Sequence, residues 1–179
     1  MIYWRVTIFQ VFLIFYLVTK ISSKVEFTNL KCTSLDTDFT DFDYCYIKSI
    51  NRTYKYMSLK VKLYKVPITN VTVNFSIMKR SSGYKPFLYN ITADACKFLK
   101  NQKSNPVLGY MYGLFKSHSN MNHTCPFDHD IVVEKLSTTF IHHQVTRILP
   151  FPEGEYLFKT KWMAYGILRA SVNAYCSLT

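Results

Sequence analysis

The sequence predicts a mainly β protein, an antiparallel β-sandwich with one short helical excursion near residues 93–117. Three observations carry this. Apolar and polar residues alternate with period two along several separate stretches, as half-buried strands require. A tract with helix-start signals interrupts those stretches once. Five cysteines in 179 residues, behind an apolar leader, supply a framework that can pin such a domain.

The leader comes first. MIYWRVTIFQVFLIFYLVTKISSK has an early Arg5, an apolar run from Val6 to Val18 broken by Gln10, and small Ser22 and Ser23 beyond it. A run of about thirteen residues is short for a spanning helix and suits the core of a signal peptide. Residues 1–23 are therefore expected to be a signal peptide and 24–179 a single domain. Five sequons agree with export, at Asn51, Asn70, Asn74, Asn90 and Asn122.

Strand signals follow. In MSLKVKLYKV, Met57, Leu59, Val61 and Leu63 are expected inward and Ser58, Lys60 and Lys62 outward. In ITNVTVNFSIMKR the inward set is Val71, Val73, Phe75 and Ile77, and both sequon asparagines, Asn70 and Asn74, fall on the polar face. Ser81-Ser82-Gly83 reads as a turn. TADACKFLKN then predicts a short helix capped at Thr92, with Ala95, Cys96 and Leu99 on one side. A second helix starts at Asn105-Pro106 and carries Leu108, Tyr112 and Phe115. IVVEKLSTTFIHHQV is rich in β-branched residues and predicts one or two strands.

The last hairpin joins EYLFKTKWMA to ILRASVNAYCSL through Tyr165-Gly166. Tyr156, Phe158, Thr160 and Trp162 share one face of its first arm. Leu168, Ala170, Val172, Ala174 and Cys176 share a face of the second, opposite Arg169, Ser171 and Asn173. Cys176 is thereby aimed into the interior.

In an oxidising compartment the five cysteines form bridges and leave one over. Spacing favours Cys32 with Cys45 and Cys96 with Cys125, leaving Cys176 free. A bridge from Cys176 to Cys32 or Cys45 is the alternative.

The formal charge is +11, and removing Arg5 and Lys20 with the leader leaves +9. The basic residues form no run of five, as expected of a solvated sheet face, although attraction to acidic surfaces is compatible with them. Compartment and the absence of a recognition motif disfavour nucleic acid.

One stretch invites a different chemistry. HSNMNHTCPFDHD places His118, His123, Cys125 and His129 beside Asp128 and Asp130, all residue types that bind zinc. Oxidation of Cys125 would remove its thiolate, and a sugar on Asn122 would crowd His123. The stretch reads better as a stapled return loop than as a metal site. His142-His143 lack a nucleophile elbow, an HExxH or a paired-carboxylate partner, so no catalytic residue, metal or cofactor is assigned.

Several residues in combination match a known pattern: Phe27-x-Asn29-x-x-Cys32, Cys45-x-x-Lys48-x-x-Asn51-Arg52 and Gly83-Tyr84-x-Pro86-Phe87-Leu88-Tyr89-Asn90. Asp94-x-Cys96-x-Phe98-Leu99, Asn122-His123-Thr124-Cys125-Pro126-Phe127 and Pro150-x-Pro152-x-Gly154-x-Tyr156 complete it. The chain resembles, from about residue 25 to 175, the large insect family of secreted proteins of unknown function grouped with the ML (MD-2-related lipid-recognition) domain. CheB-type chemosensory proteins are related to it. The resemblance implies an immunoglobulin-like sandwich whose sheets part to admit a lipid or other apolar ligand; a membrane receptor is a separate candidate partner. Cys176 departs from the insect pattern. ML proteins that join an early cysteine to the last strand keep its pairing with Cys32 or Cys45 open.

Three functions are compatible with these residues. The first is a secreted carrier or presenter of an apolar small molecule, with Leu59, Val61, Val73, Phe75, Phe158 and Trp162 as candidate lining residues. The second is an extracellular protein-interaction module without a small ligand, such as a receptor accessory or a gland or gamete secretion. The third and weakest is an enzyme. The sequence does not set the oligomeric state.

Overall fold

A computed structural model describes residues 24–179 apart from residue 53; the expected signal peptide, residues 1–23, lies outside the described residues. Among the described residues eight strands form two antiparallel sheets. They are β1 (Val25–Ser34), β2 (Thr40–Ser49), β3 (Lys55–Leu63), β4 (Val71–Ser81), β5 (Gly83–Asp94), β6 (Ile131–Ser137), β7 (Gly154–Ala164) and β8 (Ile167–Leu178). The larger sheet has the order β1-β8-β7-β4-β5 and the smaller β2-β3-β6.

Alternation drives the pairing where it is cleanest. Along β4, Val71, Val73, Phe75 and Ile77 are buried while Thr72, Asn74 and Ser76 between them are only half-buried. β7 and β8 form the long hairpin, with Phe158 opposite Ala174 and Thr160 opposite Val172.

Between β5 and β6 the chain leaves the sheets. Helix α1 (Ala95–Lys100) buries Ala95, Cys96 and Phe98. Its cap is Asp94, not Thr92: the Asp94 carboxylate accepts the Lys97 N–H at 2.9 Å, while Thr92 is still in β5, paired with Asn74. Helix α2 (Pro106–Gly113) begins with proline behind Asn105, whose side chain accepts the Leu108 N–H at 3.0 Å.

Three further expectations are corrected. After β6 the chain forms helix α3 (Thr138–His143) and a π-type turn over Gln144–Ile148, where β-branched residues predict strand. Ser137 starts the helix by accepting the Phe140 N–H at 3.2 Å, and burial of Thr138 and Ile141 stabilises it against local preference. Ser58, expected outward, is fully buried. The β3–β6 register slips between Met57 and Leu59; Lys135 takes a φ of 49° there, and its N–H is received by the Ser58 hydroxyl at 2.9 Å. Arg169 is likewise drawn in from the polar face. The β7–β8 register skips it between Trp162/Ala170 and Met163/Leu168, so it is the extra residue of a bulge, which re-aims a side chain.

Two disulfides pin the domain. Cys32–Cys45 joins β1 of one sheet to β2 of the other, and Cys96–Cys125 ties α1 to the return loop. Cys176 is free and buried.

Candidate functional site

Between the sheets lies a cavity of about 220 Å³. Its floor is the larger sheet, through Phe75 on β4, Phe158 and Trp162 on β7, and Ala170, Val172, Ala174 and Cys176 on β8. Its roof is Met57, Leu59, Val61 and Leu63 of β3 with Ile131, Val133 and Leu136 of β6. Met111, Phe115, Met121 and Phe127 close one side, and Ile141 of α3 one end. An empty apolar cavity of roughly 150 Å³ already takes up benzene, so this one has room for a small apolar molecule.

Most of the few polar groups at the wall have partners within the protein. The Thr40 hydroxyl donates to the Lys62 carbonyl at 2.8 Å. Thr160 donates to the Val172 carbonyl at 3.3 Å and accepts the Trp162 indole N–H at 2.9 Å. Trp162 is held further by an edge contact with Phe75, ring centroids 6.0 Å apart. Arg169 pairs with the Asp36 carboxylate and lays its guanidinium over the Phe39 ring at 4.1 Å; its Nε is buried without a partner. Burial pushes the Cys176 thiol up to about 12, which keeps it protonated and without a charge in the apolar wall.

The wall contains five of the six residues expected to line a cleft, Leu59, Val61, Phe75, Phe158 and Trp162. Val73 is the exception. It borders a separate pocket of about 30 Å³ under α1 and α2, with Ala95, Phe98 and Leu108. Phe75, Phe115, Trp162, Met121 and Phe127 belong to both linings and form the partition between them. Phe27, Phe39 and Arg169 line the main cavity without having been singled out for that role. For Arg169 no sequence signal was available, because a bulge position cannot be read from alternation.

The histidine-rich stretch forms a return loop. Ile68 and Phe127 exchange both backbone hydrogen bonds, at 2.8 and 2.9 Å. His123 Nδ1 lies 2.7 Å from the Thr124 carbonyl, and His129 Nδ1 lies 2.9 Å from the Asp128 carboxylate. Asp130 accepts the Leu63 N–H at 3.1 Å and pairs with Lys60. The His118 ring sits 4.7 Å from Phe140, and burial lowers its pKa. Among the described residues no three His, Cys, Asp or Glu side chains are grouped to hold a metal ion. His142 and His143, within the stretch expected to be strand, are consecutive on α3.

Of the sequon asparagines, Asn51, Asn70, Asn90 and Asn122 are exposed and Asn74 is half-buried. Asn74 Nδ2 donates to Asn90 Oδ1 at 2.9 Å, Thr92 Oγ1 at 2.9 Å and the Ile91 carbonyl at 3.3 Å.

Fold and cavity together define a class: a disulfide-pinned antiparallel β-sandwich with an apolar interior space between its sheets. No helix among the described residues is long and apolar enough to cross a membrane. Residues 73–158, from β4 through the helical excursion into β7, match the model of a family described as "Protein of unknown function (DUF1091)". That stretch is thus similar to an uncharacterised family. No curated protein matches the chain.

Proposed function

We propose that the protein is a secreted, non-enzymatic binding protein that carries or presents a lipid or other apolar small molecule between its two sheets. The observation that carries this is the cavity of about 220 Å³ with an almost wholly aliphatic and aromatic wall. Apolar burial is its only source of affinity on that scale, at about 25 cal/mol per Å². The resemblance to the ML domain points the same way, and chemosensation is the setting its CheB-type relatives imply. Secretion is supported by the leader, the sequons and the two disulfides. An enzyme reading finds less support: apart from the Arg169 Nε, the wall offers few polar groups without a partner, and the histidines lie in the return loop and on α3.

Trp162 gives the test. The sequence has two tryptophans, and Trp4 belongs to the leader, so the protein without residues 1–23 has one reporter, at the cavity wall. Titration with 8-bromooctan-1-ol, whose bromine quenches indole on contact, is expected to quench Trp162 saturably. Mass spectrometry of natively secreted protein is expected to find an apolar passenger. Linear, unsaturable quenching and an empty native protein would refute the carrier.

A further inference from the structure

The exposed apolar residues of the sandwich are unevenly distributed. Ten large hydrophobics are exposed among the described residues, and five of them, Leu35, Tyr64, Val66, Tyr165 and Ile167, sit at one end. This end is formed by the β1–β2 connection, the β3–β4 connection and the β7–β8 turn. Backbone contacts bring the three together. The Leu35 N–H donates to the Arg169 carbonyl at 2.8 Å, and the Tyr64 N–H to the Phe39 carbonyl at 3.0 Å. The Tyr165 hydroxyl donates to the Pro67 carbonyl and accepts the Thr69 N–H, each at 3.2 Å.

This cluster adjoins the cavity wall along the chain. Tyr64 follows Leu63 and Tyr165 follows Ala164, while Val66 and Ile167 are each two positions from the lining residues Ile68 and Arg169. Single exposed apolar side chains need no explanation, whereas a contiguous group does.

This end is closed by side chains, Arg169 lying over Phe39 and pairing with Asp36, whereas the other boundaries are closed by helices and disulfides. At the opposite end α3 contributes Ile141 to the wall, packs on β1, and is fixed to β3 by the Thr138 hydroxyl donating to the Lys55 carbonyl at 3.2 Å. Cys32–Cys45 ties the sheets where β1 meets β2, and the excursion with Cys96–Cys125 covers the opposite flank.

We infer that an apolar ligand passes into and out of the cavity through this end, over a rim made of Leu35, Tyr64, Val66, Tyr165 and Ile167. The inference rests on the carrier reading. A rim of apolar side chains lets a ligand shed water in steps rather than all at once, so its effect is on rates. Asn70, one of the sequon residues, borders the same end: its carbonyl accepts the Tyr165 N–H at 3.3 Å.

Stopped-flow Trp162 quenching by 8-bromooctan-1-ol separates the possibilities. The double variant Tyr64→Glu/Ile167→Glu places charge on the rim and leaves the lining intact. It is expected to slow association and dissociation alike, each at least threefold, with Kd changed less than twofold. Ile148→Glu, at an exposed position beside the α3 end, is expected to leave both rates unchanged. The single variants Tyr64→Glu and Ile167→Glu, each expected to give part of the effect, serve if the pair folds poorly. Slowing by Ile148→Glu alone would place the route at the other end and overturn the inference. Unchanged rates in the rim variants, or a changed Kd at an unchanged association rate, would overturn it as well. Absence of saturable quenching in the unmodified protein would overturn the carrier reading, and the portal with it.

Discussion

Ala174 sits in the middle of β8, opposite Leu30 on β1 and Phe158 on β7, and faces the cavity. Replacing it with phenylalanine puts a ring into the space proposed for ligand. The ring buries on the order of 100 Å² more apolar surface than the methyl group. At about 25 cal/mol per Å² this stabilises the ligand-free fold by about 2.5 kcal/mol. Ordering the side chain costs about 0.5 to 1 kcal/mol, so a net gain of about 1.5 to 2 kcal/mol is expected. Binding should move the other way, with at least a tenfold loss of affinity for 8-bromooctan-1-ol by Trp162 quenching. Urea unfolding at constant m measures the first effect. The opposite signs are the point, because a substitution that merely damages the fold lowers both. In a well-packed core the same change costs about 1 to 3 kcal/mol by overpacking. Destabilisation of Ala174→Phe with unaltered ligand binding would therefore refute the assignment of this space to ligand.

Other expectations concern covalent pins and titration. Reduction-proof variants of the bridges should rank by loop length. With separations of 29 and 13 residues, Cys96→Ala/Cys125→Ala should cost about 3.5 kcal/mol and Cys32→Ala/Cys45→Ala about 3 kcal/mol in the chain-entropy model; a reversed order in urea unfolding would count against it. Tyr110 and Tyr156 are raised by burial from 10.0 to about 12, and Cys176 from 9.0 to about 12. Their contribution is fully present below the unfolded values and is lost as pH rises towards 12, because the unfolded chain releases those protons first. Thermal midpoints should therefore be flat up to about pH 8.5 and fall above pH 9, and a midpoint that rises there would contradict the burial of these groups. Iodoacetamide at pH 8 should leave Cys176 unmodified until denaturant is added; rapid native alkylation would show the thiol to be accessible. Glycopeptide mapping should find Asn90 occupied and Asn74 bare. The Nδ2 of Asn74 is held by Asn90, Thr92 and Ile91, whereas Asn90 is exposed on an edge strand; sugar on both would overturn this.

The strands most legible in the sequence are those with one wet face and one dry. β4 alternates without a break because it lies inside the larger sheet, between β7 and β5. β1 and β2 carry no sustained alternation. β2, TDFDYCYIKS, buries only Thr40 fully, and an edge strand of a three-stranded sheet leaves too little of itself inside to impose a pattern. The 138–148 segment misled for the opposite reason. Its Thr, Ile and Val residues favour strand locally, yet Ser137 offers a cap and Ile141 a buried anchor, and tertiary packing decides. Ser58 and Arg169 were misplaced because one irregularity in register shifts which face a side chain takes, and single-chain alternation contains no term for its partner's bulge.

The cavity is harder still to see in one dimension. Leu59, Phe75 and Phe158 carry the same signal whether they touch another side chain or line an empty volume, since both keep them from water. What distinguishes the two is how much side chain the facing elements supply together. Here a trace does remain in the sequence, on β8. This strand is interior in the larger sheet, flanked by β1 and β7, where a filled sandwich would place its bulk. Its inward run is instead Ala170, Val172, Ala174 and Cys176, all of them in the cavity wall. Opposite stand Met57, Leu59, Val61 and Leu63 of β3, none of them aromatic and so not large enough to compensate. Small residues along an interior strand, facing aliphatic ones, leave a volume that close packing would otherwise remove. That deficit gives the sandwich its candidate site, and it makes Ala174 the place where filling the volume tests whether the volume is used.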